Sequence, residues 1–218
     1  MDRETTHDGL TDSSKRDHAA ALKAVAHELG SLPSILKGGS ALILCYGHTR
    51  FSEDLDYNAC KHYKLDGKIR DALRKLGATQ VAVEVVKDTA TTLRYRATYS
   101  YQSVIGASLK VETSFRAAND VANVTTIDGI RVYTIDALAT QKLAAIHGRT
   151  ASRDLEDVRF ILENHRGKLQ DETLRSIQSL VGDGTALIAK YESAYDADHV
   201  LTDEDLLSTV AGLVRLTR

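Results

Sequence analysis

The sequence predicts an α/β (α+β) fold, a mixed sheet with flanking helices followed by a helical C-terminal half. A short apolar strand, a glycine pair, a short helix and a second strand follow one another between residues 35 and 58. Three runs with the two-residue alternation of strands lie between residues 80 and 115. From Ile135 onward the apolar residues recur at helical spacing. The expected organisation is a flexible N-terminal arm over 1–16, a core over 17–133 and a helical domain over 134–218.

Residues 1–16 are polar and lack hydrophobic periodicity, which reads as a loose arm. Asp17 opens a helix whose Ala20, Leu22, Val25, Ala26 and Leu29 share a face, and Gly30 ends it. His18 and His27 on this helix have no ligand-spaced partner and read as surface or packing residues. After Pro33, Ile35-Leu36 is a strand that delivers Lys37-Gly38-Gly39-Ser40, and a helix begins over Ala41-Leu42-Ile43-Leu44. Arg50-Phe51-Ser52-Glu53 leads into a second strand, Asp54-Leu55-Asp56-Tyr57-Asn58. Residues 65–76 form an amphipathic helix closed by Gly77, with Lys68, Arg70, Arg74 and Lys75 on its solvated face.

Strands are expected over 80–87, 92–102 and 108–115. Arg94 and Arg96 share a face of the second, and Lys110 and Glu112 share a face of the third. A short strand follows at 130–133, and Thr134 caps a helix reaching Ile146. Ser152 caps the next, through Leu162, and three amphipathic helices are expected near 172–181, 185–195 and 203–216.

The 43% hydrophobic and 27% charged content is that of an ordinary globular protein. A net charge of −2 excludes a histone-like or tail-driven nucleic-acid binder but leaves room for a local basic cleft. Cys45 and Cys60 lack metal-ligand spacing and read as reduced thiols. No apolar run approaches a membrane span, and the first twenty residues lack a signal-peptide pattern, so a cytoplasmic protein without membrane association is expected.

The chemistry concentrates in Gly38-Gly39-Ser40 and, thirteen residues later, Asp54-x-Asp56. The glycines let the backbone turn tightly and approach a ligand. Ser40 and the amides of a helix start offer hydrogen bonds to an anion such as a triphosphate. Asp54 and Asp56 lie on one strand face about 7 Å apart along the backbone, where their repulsion calls for a cation. Mg²⁺ suits a few carboxylates combined with substrate phosphates. Together these features outline a site for nucleotidyl transfer.

Gly-Gly-Ser followed by Arg50-x-Ser52-x-Asp54-x-Asp56 resembles the DNA polymerase β-like nucleotidyltransferase superfamily. Within it the chain is most similar to the AbiEii/AbiGii-type toxins of type IV toxin–antitoxin and phage-defence systems. Lys110-Val-Glu112 resembles the family's Lys-x-Asp, with Glu in place of Asp and a carboxylate displaced by one methylene. Asp136-x5-Lys142 and Arg153-Asp154-x-x-Asp157 continue the likeness.

The resemblance implies an α/β nucleotidyltransferase core with a helical C-terminal half, and catalytic roles for Asp54, Asp56, Glu112 and Lys142. It implies that Asp54, Asp56 and Glu112 hold Mg²⁺ (or Mn²⁺), with a nucleoside triphosphate as substrate. Nucleotide contacts are expected from Lys37, Gly38, Gly39, Ser40, Arg50, Ser52, Asp136 and Asp154. Lys142, on a largely apolar helix, needs a partner, a phosphate or a buried carboxylate; phosphate is the expectation, so that Lys142→Ala weakens nucleotide use without unfolding the protein. The acceptor implied is RNA, the tRNA 3′ end, with Arg94, Arg96, Arg131 and Arg149 as candidate contacts and Lys110 and Arg116 as further basic side chains. A cognate antitoxin encoded nearby is the implied partner. A small-molecule or protein acceptor, or a nucleotide- or RNA-binding module without chemistry, are the alternatives. His147 has no evident partner for catalysis.

Overall fold

The computed structural model describes residues 12–116, 121–198 and 206–217. The chain divides into two units, Met1–Tyr133 and Thr134–Arg218. The first opens with α1, Asp12–Leu29, which starts five residues before the expected Asp17. Ser14 and His18 are buried along with Leu22, Val25 and Ala26. Their four-residue spacing continues the apolar stripe toward the N-terminus, in side chains too polar for hydropathy to reveal it. The expected arm over 1–16 is therefore corrected for residues 12–16, and residues 1–11 lie outside those described.

β1, Ser34–Lys37, runs into α2, Gly38–Tyr46, and β2, Asp54–Ala59, follows. α3, Asp66–Lys75, precedes β3, Thr79–Thr89, β4, Thr92–Tyr101, and β5, Val104–Ser114. β6, Val124–Ile127, and β7, Ile130–Tyr133, complete one mixed sheet in the order β3-β4-β5-β2-β1-β7-β6. β2 runs parallel to β5 and β1 parallel to β7, and the remaining pairs are antiparallel.

β6 was not expected from the sequence. Its signal is Asp128-Gly129, a two-residue turn with φ of 47° and 76° that joins it to β7.

Alternation gives the sheet two unlike faces. Leu55, Tyr57, Leu93, Tyr95, Ala97, Tyr99, Leu109 and Val111 are buried on the side where α1 and α3 pack. Each leucine or valine among them contributes about 1.5–3 kcal/mol on leaving water. Two of the tyrosines keep their hydroxyls bonded: Tyr99 to His18 Nδ1 at 2.7 Å, and Tyr95, which accepts from the Leu65 amide at 3.1 Å. The opposite parity carries the charged residues of the site.

The second unit comprises α4, Ile135–Gly148, α5, Ser152–His165, α6, Asp171–Val181, α7, Gly184–Asp196, and α8, Leu206–Thr217. Leu138, Ile146, Leu155, Val158, Ile161, Ile177, Tyr191 and Leu213 form its core. Thr134 caps α4 by accepting from the Ala137 amide at 3.4 Å. Ser152 does not cap α5 as expected; it is the first helical residue, and its hydroxyl donates to Asp198 instead. No helix among the described residues is long and apolar enough to cross a membrane.

Candidate active site

Lys37 ends β1 with extended backbone and α2 starts at once, with no capping bond from the Lys37 side chain. Gly38 turns at φ +70°, a conformation that disfavours any side chain, and a Cβ there would stand 3.4 Å from Asp56 Oδ2. Gly39 serves a different need. A Cβ at Gly39 would lie 1.7 Å from Arg50 Nη2, so the guanidinium occupies the space that the missing side chain leaves. Arg50 also donates from Nη1 to the Phe51 carbonyl at 3.0 Å. Ser40 is buried and its hydroxyl donates to the Lys37 carbonyl at 3.4 Å. At the far end of α2, Tyr46 donates to the Tyr133 carbonyl at 2.7 Å, which fixes the helix against β7.

Across the open face, register aligns charges in two rows. One runs Lys37, Asp56, Glu112, Arg94; the other runs Asp54, Lys110, Arg96, Glu84. Arg94 donates to Glu112 Oε2 from Nε at 2.6 Å and from Nη2 at 2.5 Å, and Lys110 stands 2.5 Å from Asp54. Arg96 and Glu84 meet at 3.7 Å, both well exposed. Burial pushes the Asp56 carboxyl above its ordinary range, Asp54 and Glu112 push it further, and Lys110 and Lys37 oppose them. Burial lowers the Lys37 ammonium, which Asp56 and Glu112 counter. Ser52 reaches the Asp54 carbonyl at 3.5 Å, the outer limit of a hydrogen bond.

The carboxylates suit a hard divalent cation by donor type, and burial, with Asp54 and Glu112 nearby, disfavours the charged form of Asp56. Among the described residues no three His, Cys, Asp or Glu side chains converge into a ready-made metal cluster. Asp54 and Glu112 face Lys110 and Arg94 instead.

In the second unit, Lys142 Nζ lies 2.8 Å from Asp154 and 2.5 Å from Asp157, with all three side chains buried. The sequence led to the expectation of a phosphate partner; the buried carboxylates of Asp154 and Asp157 take that place. Asp157 belongs to the Arg153-Asp154-x-x-Asp157 motif without an assigned role, and its signal is the three-residue spacing that places it on the Asp154 face of α5. Arg149 donates to Asp154 from Nε at 2.7 Å and from Nη2 at 3.0 Å. Burial pushes the Asp154 carboxyl up, but the Arg149 hydrogen bond and Lys142 outweigh it and hold the group below its ordinary range. Asp136 accepts from the Gln170 amide at 2.8 Å, at the start of α6. Of the remaining candidates, Arg131 sits half-exposed on β7 opposite Thr126, and His147 is exposed near the end of α4.

A mixed sheet that presents a glycine turn and acidic strand residues on its open face defines a nucleotidyltransferase fold. JHP933 from Helicobacter pylori is similar over 96% of this chain and 92% of its own, with 28% identity and a TM-score of 0.85. MenT4, a nucleotidyltransferase toxin from Mycobacterium tuberculosis H37Rv, shares the fold at a TM-score of 0.58 and 19% identity, over 96% of this chain and 89% of its own. No curated protein matches the sequence. The family described as nucleotidyl transferase AbiEii toxin, type IV toxin–antitoxin system, matches residues 20–209, and the chain belongs to that family.

Proposed function

We propose that this protein transfers a nucleotidyl group from a nucleoside triphosphate to RNA, at the 3′ end of tRNA, and so blocks translation. In this reading it is the cytoplasmic toxin of a toxin–antitoxin or phage-defence pair, opposed by an antitoxin encoded nearby. The observation that carries the proposal is the pair of cations at the start of α2. Lys37 precedes the first turn without a capping bond from its own side chain, and the Arg50 guanidinium lies against Gly39. A helix N-terminus carries positive charge and disfavours cations. A triphosphate reverses that sign, since amides and both cations then face phosphate oxygens.

Asp54, Asp56 and Glu112 are the residues that would hold Mg²⁺ or Mn²⁺. Such an ion makes an acceptor hydroxyl easier to ionise and stabilises charge on the leaving pyrophosphate. Lys110 and Arg94 fix two of the carboxylates, and Lys37 stands opposite the third. Arg50 and Ser40 orient the triphosphate. Lys142, Asp154 and Asp136 act in this scheme as positioning groups, holding α4 to α5 and to the start of α6.

The test is incubation of the protein with Mg²⁺, total bacterial RNA and each α-labelled nucleoside triphosphate in turn, with Asp56→Ala as control. Label on tRNA-sized RNA with the wild type alone is the expected result. Label on small molecules or protein would overturn the acceptor. Equal labelling by Asp56→Ala would overturn the site.

A further inference from the structure

We propose that the end of the sheet where β2 and β5 finish carries a stacking platform for an unpaired nucleobase of the acceptor strand, an inference that rests on the RNA-directed reading above. His62 and Phe115 stack with ring centroids 3.9 Å apart and planes 20° from parallel. His62 is exposed and Phe115 half-exposed, so this ring pair meets solvent instead of filling the core. Exposed aromatic faces beside cations are how proteins hold single strands, because every base has a face to stack.

The cations are present beside the rings. Among the other basic candidates, Arg94 and Arg149 hold carboxylates at short range, Arg96 meets one at 3.7 Å in an exposed contact of small weight, and Arg131 lies on β7. Lys61, Lys64 and Arg116, which adjoin the ring pair in the chain, are exposed, and among the described residues none of the three forms an ion pair. They are therefore available to phosphates. Asp88 stands 3.8 Å from His62 Nδ1, an exposed contact of small weight.

The platform is also held in place. Tyr95 accepts from the Leu65 amide at 3.1 Å and donates to the Tyr63 carbonyl at 3.5 Å, which ties the loop to β4. The Phe115 amide donates to the Thr91 carbonyl at 3.0 Å. Phe115 follows Glu112 by three residues, about 10 Å along a strand and on the opposite parity, so the rings lie past the end of the sheet while Arg116 keeps the parity of Glu112. Arg116 lies near enough to Lys37, the residue opposite Asp56, for its charge to lower the Lys37 ammonium. An acceptor strand that turns over this end of the sheet would meet Arg116 on the carboxylate parity and the rings on the other.

The test uses the full chain, an oligoribonucleotide with 2-aminopurine in a single-stranded 3′ tail, and the variants His62→Ala and Phe115→Leu. The wild type should quench the probe by stacking. Both variants should lose that quench and raise the KM for RNA about tenfold, with the effect absent from the KM for nucleotide. His62→Ala removes an exposed ring, so loss of fold does not confuse the result. If the wild type labels RNA while both variants keep its KM and its quench, the platform is wrong and the RNA reading stands. A rise in nucleotide KM instead would assign the rings to the nucleotide and overturn the proposal. If the wild type neither binds the probe nor labels RNA, the RNA reading fails and the platform fails with it.

Discussion

Gly39 and Arg50 illustrate how one missing side chain places a charge. A methyl at Gly39 must displace the guanidinium, whose Nη2 would lie 1.7 Å away, but the long arginine side chain yields easily. Gly39→Ala should therefore keep its melting temperature, since alanine favours the helix, yet raise the nucleotide KM about tenfold or more. Arg50→Ala should show the same defect, and the double variant should be no worse than either, because both remove one interaction. Asp56 makes the complementary case. Its raised pKa means that the charged form is disfavoured in the fold, which costs stability above that pKa and relieves it as pH falls through it. Asp56→Asn should thus melt no lower than the wild type near neutral pH while losing transfer by on the order of a thousandfold, read by labelled-nucleotide turnover beside a thermal melt.

At the scale of elements, α4 and α5 are joined by a buried ion network. Lys142 touches Asp154 and Asp157, which are 1% and 0% exposed, so its removal takes a cation away from two carboxylates that water does not reach. Lys142→Ala should cost about 3–5 kcal/mol in urea unfolding, the usual consequence of breaking a buried pair. The sequence alone led to the expectation of a phosphate partner and lost nucleotide use without unfolding; the geometry favours the loss of stability. The pH dependence follows from Asp154, held below its ordinary range despite burial. Its contribution is present above the unfolded carboxylate value and is lost as pH falls through the folded one. Arg149→Gln weakens one of the groups that lower this pKa, so acid unfolding should begin at higher pH than in the wild type.

For the whole molecule, a net charge of −2 gives no general attraction to RNA, so affinity must come from a few local cations. Arg94 and Arg149 are engaged by carboxylates, and on the proposed reading Lys61, Lys64 and Arg116 are the phosphate contacts beside the rings. Three such contacts to a single strand predict a slope of about −2 for log affinity against log salt. A titration of RNA binding from low to physiological salt reads it directly. A steep slope would mean that a broader basic surface takes part.

The mixed sheet, the helical second unit, the glycine turn and the Asp-x-Asp strand were legible in the sequence because each rests on local spacing. Alternation marks a strand, 3.6-residue recurrence marks a helix, and a glycine pair marks a turn whatever surrounds it. β6 was missed although its Asp128-Gly129 turn is equally local, and the start of α1 was missed because Ser14 and His18 are polar residues in buried positions. Partner choice was of another kind. That Glu112 faces Arg94, that Lys110 faces Asp54, and that Lys142 is enclosed by Asp154 and Asp157 depends on strand register and helix packing between residues distant in the chain. A charged side chain is equally compatible with water, a phosphate or an opposite charge until the fold determines which of these lies within 3 Å. Local spacing therefore settles which residue types the protein presents, and long-range packing settles which of them remain free to meet a substrate.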